Sequence, residues 1–360
     1  MVSGMMTTYR EYGFSLIELM IAMVLGLLLT LGVTQVYLSS SDTYRLTNGL
    51  ARIQENARFA ADMLGRDIRE AGGNGCLLEI GTVTDIRQSP SDPNTTGILG
   101  WEYSDTGQGD SYTLTGNVPG GETDWDNNNG DALPGSISGE VVEGSDILFV
   151  EGAHAHDLNG NTVTGLGGGA INLSGSTGIE RDTVIHVTSE DCSNSRIFYK
   201  NNAASASSIV AGGSDNQTGG TVPAITDPPM TNNLTVSVYR ATAFYIGENP
   251  DGNPALYSQS LEEPTPPPPQ ELLSNVENMQ ILYGEGGPAG ATTYVTAENV
   301  TDWSSVVSVR LGLLMRSDAN VMEESQTRAF NMLETEVNTP ADDRVRLVLM
   351  KTIGLRNRLE

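Results

Sequence analysis

Gly13-Phe14-Ser15-Leu16-Ile17-Glu18-Leu19-Met20 opens an apolar run that continues to Val33. From Phe14 to Val33 there are twenty residues and one ionisable side chain, Glu18. At about 1.5 Å per residue, a helix of that length matches the roughly 30 Å hydrocarbon core of a bilayer. The run holds no Pro, and backbone groups in lipid must pair within their own segment, so it reads as a membrane-spanning helix. Glu18 stands five residues into it. A carboxylate there is costly unless it snorkels to the headgroups or has a partner.

The helix is predicted to continue past the membrane, from Ser39 to about Ala71. Leu46, Leu50, Ile53, Ala57, Leu64 and Ile68 recur at spacings of three, four or seven, which is a stripe on one helical face. Asp62/Arg66 and Arg66/Glu70 stand four apart and would support the opposite face by a few tenths of a kcal/mol each. Ala71-Gly72-Gly73-Asn74-Gly75 ends the helix, since glycine supplies the left-handed cap. Counted from Ser15, the helix would be roughly 85 Å long, half in lipid and half backing a globular head. A plain single-span anchor needs no amphipathic extension in register with its membrane segment.

Gly13-Phe14-Ser15-Leu16-Ile17-Glu18 resembles the processing motif of type IV prepilins and type II secretion pseudopilins. The resemblance implies that a membrane-embedded prepilin peptidase cuts after Gly13 and N-methylates Phe14. It further implies that Glu18 pairs with the N-terminal amine of a neighbouring subunit, which fits the rule that a buried charge is tolerable only when matched. Three later segments are similar to PilW-type minor pilins: Asn275 to Gly284, Asp302 to Arg310, and Gly354-Leu355-Arg356-Asn357-Arg358. The expected fold is therefore α+β and type IV pilin-like, a long helix packed on an antiparallel β-sheet head with long loops. The domains follow as leader 1–13, membrane half 14–38, amphipathic half 39–71 and extracytoplasmic head 72–360. Expected partners are other minor pilins, the major pilin, the peptidase and the assembly platform of the inner membrane. The expected location is that membrane first and the pilus at the cell surface afterwards, with twitching motility and cell adhesion as the associated processes.

The leader departs from the usual basic pattern, because Arg10 and Glu11 are its only charges. Its removal takes one charge of each sign and leaves the chain at -26. That acidity argues against a nucleic-acid surface. Two cysteines, Cys76 and Cys192, are an even count for an exported domain and favour a disulfide, with two buried thiols as the alternative.

Strands are predicted at 145–150, 182–187, 196–199, 234–239, 280–283, 306–315 and 344–353, with a short helix over 270–279. The polar, glycine-rich stretch 201–229 reads as loop and Pro264–Pro269 as a stiff spacer. His154 and His156 could share a metal ion with His186, but no further His or Cys completes a set nearby. Asp124, Asp126, Asn128 and Asp131 alternate as calcium ligands do, yet the glycine falls one place late for an EF-hand and the closing glutamate is missing. An Asx-rich turn explains that run equally. No nucleophile elbow, phosphate loop or dinucleotide fingerprint occurs, so neither enzyme activity nor a cofactor is expected. The leading reading is a minor pilin that primes or caps the type IV pilus. The alternatives are a type II secretion pseudopilin and a membrane-anchored periplasmic enzyme or metal-binding module.

Overall fold

Leu16 to Glu70 is one unbroken helix of 55 residues, α1, about 82 Å long. The computed structural model describes residues 13, 15–73, 83–88, 97–115, 124–128, 130–167, 169–213, 216, 233–261, 266–322 and 324–359. From Leu16 to Leu38 every side chain of α1 is exposed. Within that half the Thr30 and Thr34 hydroxyls donate to the carbonyls of Gly26 and Thr30, each at 2.8 Å. These two hydroxyls are thus paired within the helix, as lipid would require.

The second half of α1 buries Ile53, Ala57, Ala60, Leu64 and Ile68. The expected stripe therefore holds from Ile53 onward, whereas Leu46 is exposed and Leu50 only half-buried. Asp62 does not serve the helix surface with Arg66. Its carboxylate lies 3.5 Å from Lys351 Nζ, which also donates to the Ala61 carbonyl at 2.9 Å. As predicted, glycine ends the helix: Gly72 has φ 68°, the left-handed region that follows a helix end.

Under α1 lies a four-stranded antiparallel sheet in the order Gly290–Val295, Val276–Gly287, Val306–Arg316, Arg346–Gly354. The Arg346–Gly354 strand runs along the helix. A nine-stranded sheet forms the rest of the main core around Thr235–Glu248. That long strand pairs with Ile147–Ala155 on one side, and with Val184–Thr188 and Pro254–Ser260 in succession on the other. Phe149, Ile281 and Leu313 join Leu64 and Ile68 in one hydrophobic core. A smaller sheet of Val163–Gly167, Ala170–Leu173 and Ser208–Val210 covers a second core that includes Ile171, Ile185 and Phe198.

The helix predicted over 270–279 is absent. Gln270–Ser274 and Val276–Gly287 are strands, broken at Asn275 with φ 63°. Val276 to Gly284 is buried at every residue, and a strand enclosed on both faces loses the alternation that distinguishes it from a helix. Its polar residues are held inside. Glu277 pairs with Arg346 at 2.6 Å, while the Asn278 and Gln280 amides both donate to the Gly144 carbonyl, at 2.5 and 2.9 Å. The other predicted strands form with shifted ends; the one begun at Leu234 runs on to Glu248. Within the expected 201–229 loop, Ser208–Val210 is a strand, and 217–229 lies outside the described residues.

Candidate functional site

The feature that requires a partner is the first half of α1. Leu16, Ile17, Leu27 and Leu29 are each more than 60% exposed, far beyond what a water-facing helix carries. Glu18 sits in the first turn of this surface, where a negative charge is favoured by the helix dipole. Ser15 precedes the helix without a side-chain cap. Phe14 lies outside the described residues. One end of the chain is thus an uncovered apolar rod with a single carboxylate near its start.

The other half of α1 is fastened to the head by the C-terminal segment. Asn357 Nδ2 donates to the carbonyls of Glu70 and Ala71 at 3.4 and 3.2 Å, satisfying acceptors that a helix end leaves open. Next to it, the Arg358 guanidinium donates to the carbonyls of Trp303 and Val306 at 2.7 and 2.5 Å. Burial pushes Arg358 down to about 10, so it stays charged at neutral pH. Glu277 accepts from Arg346 through both oxygens, at 2.6 and 2.9 Å, and from Arg316 at 3.2 Å. Asp342 accepts from the other edge of Arg346 at 2.6 and 2.7 Å. Opposed buried charges in this geometry are satisfied together, and removing one would strand the rest. Arg358 joins the last of the three segments singled out from the sequence to the second, and pairing of Val276–Gly287 with Val306–Arg316 joins the second to the first.

The remaining sequence candidates lie apart. His154 Nδ1 is 3.9 Å from Glu70, and His156 Nδ1 accepts the Leu158 N–H at 2.9 Å. Buried His186 meets Ser195 Oγ through Nε2. Among the described residues no group of three His, Cys, Asp or Glu side chains could hold a metal ion. In the acidic loop, Asp126 Oδ1 accepts the Asn128 N–H at 2.9 Å, and Asn128 Nδ2 reaches the Val300 carbonyl at 3.1 Å. Trp101 and Trp303 donate to the carbonyls of Asp131 and Asn127. The loop therefore forms an Asx turn that braces two tryptophans. Cys192 stands at φ 58° in a turn, and Cys76 lies outside the described residues.

Sequence reading passed over a pair of buried carboxyls, Glu102 and Asp146, both at most 3% exposed. Asp146 accepts the Ile281 N–H at 2.7 Å and the Tyr103 N–H at 3.4 Å. Burial pushes Asp146 up to about 8. Burial, then the charge of Asp146, pushes Glu102 well up too. The pair therefore holds at least one proton between its two carboxyls at neutral pH. Because the unfolded carboxyls release theirs above about pH 4.5, the folded state binds more protons from there to about pH 8, and stability falls as pH rises across that window. His186 acts with the opposite sign. Burial pushes it down to about 4, so its contribution is full above its ordinary value and is lost as pH falls towards 4. Melting of the full chain in detergent should not rise between about pH 4.5 and 6.5, where the His186 and carboxyl slopes oppose, and should fall from there towards pH 8 by up to about 1.4 kcal/mol per unit for each proton. Asp146→Asn should flatten the fall towards pH 8. A melting temperature equal or higher at pH 8 would contradict the shared proton.

A long helix, uncovered and apolar in its first half and packed on a β head in its second, fits the α+β type IV pilin-like fold. Residues 9–34 match the family model of the prokaryotic N-terminal methylation motif, and residues 243–357 match that of type IV pilus-assembly protein W. Over residues 243–357 the chain is thus PilW-like, and with the methylation motif this supports a type IV pilus-related minor pilin, anchored in a membrane by the long apolar helix found among the described residues. Both families are structural components of pili rather than enzymes. No curated protein and no solved structure matches the chain.

Proposed function

We propose that this subunit primes assembly of the type IV pilus or caps it, by helix–helix association with other minor pilins and the major pilin. The supporting observation is the uncovered half of α1, rigidly continued into the half that the head holds. Lipid covers that surface before assembly, in the inner membrane. Neighbouring helices cover it afterwards, in the fibre. Glu18 sets the axial register by pairing with the amine of a neighbour's N-terminal residue, so that two charges leave the lipid together. Cleavage after Gly13 and methylation of Phe14 create that amine, and the divisions at 13, 38 and 71 separate leader, membrane half, amphipathic half and head.

Mass spectrometry of sheared pili tests this reading. The expected result is a peptide beginning at N-methylated Phe14, recovered from fibres in substoichiometric amount. Recovery from membranes alone, with the leader uncut, would exclude a role in the fibre.

We also propose a Cys76–Cys192 bridge. Closing a loop of that length contributes about 4–5 kcal/mol in the chain-entropy model. Double Cys→Ser substitution should then lower the melting temperature by several degrees. Alkylation of both cysteines in denatured, unreduced protein would dismiss the bridge.

A further inference from the structure

The hairpin of Thr235–Glu248 and Pro254–Ser260 turns at Asn249, whose Oδ1 accepts the N–H groups of Asp251 and Asn253 at 3.1 and 2.9 Å. In its register Tyr245 faces Tyr257. Their rings stack with centroids 5.7 Å and planes 17° apart. On the side paired with Gln270–Ser274 the register shifts between Leu256 and Tyr257. Gly247 lies against both rings. A Cβ there would meet Tyr257 Cδ2 and the Glu140 carbonyl at 3.0 Å, and Tyr245 Cε2 at 3.2 Å. Glu140 is held near by the bond from Val142 N–H to the Ile246 carbonyl, 2.7 Å. Pro269, the last residue of the proline run, forms a further wall. The result is a cleft of about 400 Å³ lined by Glu140, Tyr245, Gly247, Glu248, Tyr257 and Pro269, among others.

Three features of the cleft point the same way. Glu140 and Glu248 are exposed carboxylates, and no Lys or Arg lines it. A stacked aromatic pair forms one wall, and aromatic faces attract cations. The Tyr245 side chain is 99% buried, but its hydroxyl is not among the buried unpartnered atoms and makes no hydrogen bond among the described residues, whereas the Tyr257 hydroxyl donates to the Glu248 carbonyl at 3.5 Å. The geometry points to this cleft as a binding site for a guanidinium, the arginine side chain of a partner polypeptide. A guanidinium is planar and stacks on tyrosine, and its five donors can serve two carboxylates and a hydroxyl together. An ammonium offers the charge without the plane.

The test titrates the full chain in detergent with N-acetyl-arginine amide, followed by calorimetry. N-acetyl-citrulline amide serves as the neutral isostere and N-acetyl-lysine amide as the ammonium. The arginine probe should bind at least about tenfold more tightly than citrulline, with lysine between them. Glu140→Gln, a surface change that leaves the core intact, should weaken the arginine probe about fivefold, and Tyr257→Ala by more. Glu55→Gln, on the exposed side of α1, should change nothing. Equal binding of citrulline, an unaffected Glu140→Gln, or no saturation by about 50 mM would each overturn the site. Tighter binding of the lysine probe would overturn its assignment to a guanidinium.

Discussion

Glu18→Ala is expected to leave membrane insertion and leader cleavage intact and to deplete the subunit from pili by at least about tenfold. That depletion corresponds to losing roughly 1.4 kcal/mol of association free energy. The sign is diagnostic. For a carboxylate that lipid merely tolerates, alanine would remove a desolvation cost and make the span more comfortable. For a carboxylate that meets a neighbour's amine, the same change strands that amine in an apolar bundle. Glu18→Gln keeps the shape and hydrogen bonding but loses the charge, and should fail as alanine does. The measurement is the ratio of subunit in sheared fibres to subunit in membranes, for wild type and both variants. An unchanged ratio for alanine would refute the pairing while leaving the fold as described.

Gly97→Ala should be a strongly damaging small change in the head. Gly97 has φ +87°, and a Cβ on it would stand 2.2 Å from Gly72 Cα and 2.4 Å from Gly72 N. Neither backbone can retreat. Gly72 N–H donates to the Glu151 carbonyl at 2.9 Å, and Glu151 N–H donates to the Gly97 carbonyl at 2.9 Å. Gly97 N–H in turn donates to Glu151 Oε1 at 3.1 Å. The methyl would therefore pry the end of α1 from the sheet that holds it. We expect a loss on the order of 3 kcal/mol or more, read as a fall in melting temperature of roughly 5–10 °C. Gly109→Ala is the matched control, since Gly109 has φ +95° with open space around it and should cost only about 1 kcal/mol. Equal losses for the two variants would show that backbone conformation, not the contact at Gly72, sets the effect.

Much of the membrane end was legible in the chain itself. Helix length and apolarity are local properties, and the methylation motif is matched within residues 9–34. The cap at Gly72 was legible for the same reason. The head was less so. Glu277 and Asn278 resemble the exposed face of a helix until the partners at Arg346 and Gly144 are known. Glu102 and Asp146 stand 44 residues apart in the chain and meet only through the sheets.

The sequence by itself determined the long apolar helix, its one charge, the point where the helix ends and the family that its C-terminal segments resemble. These depend on residues near one another in the chain, where periodicity and glycine act directly. Only the tertiary structure decided that Val276 is strand, that Asn357 and Arg358 tie the helix end to the head, and that Tyr245 and Tyr257 line an acidic cleft. Each depends on strand pairing or on packing between segments that need not be neighbours in the chain. There the free energy of burying and matching polar groups overrides local propensity.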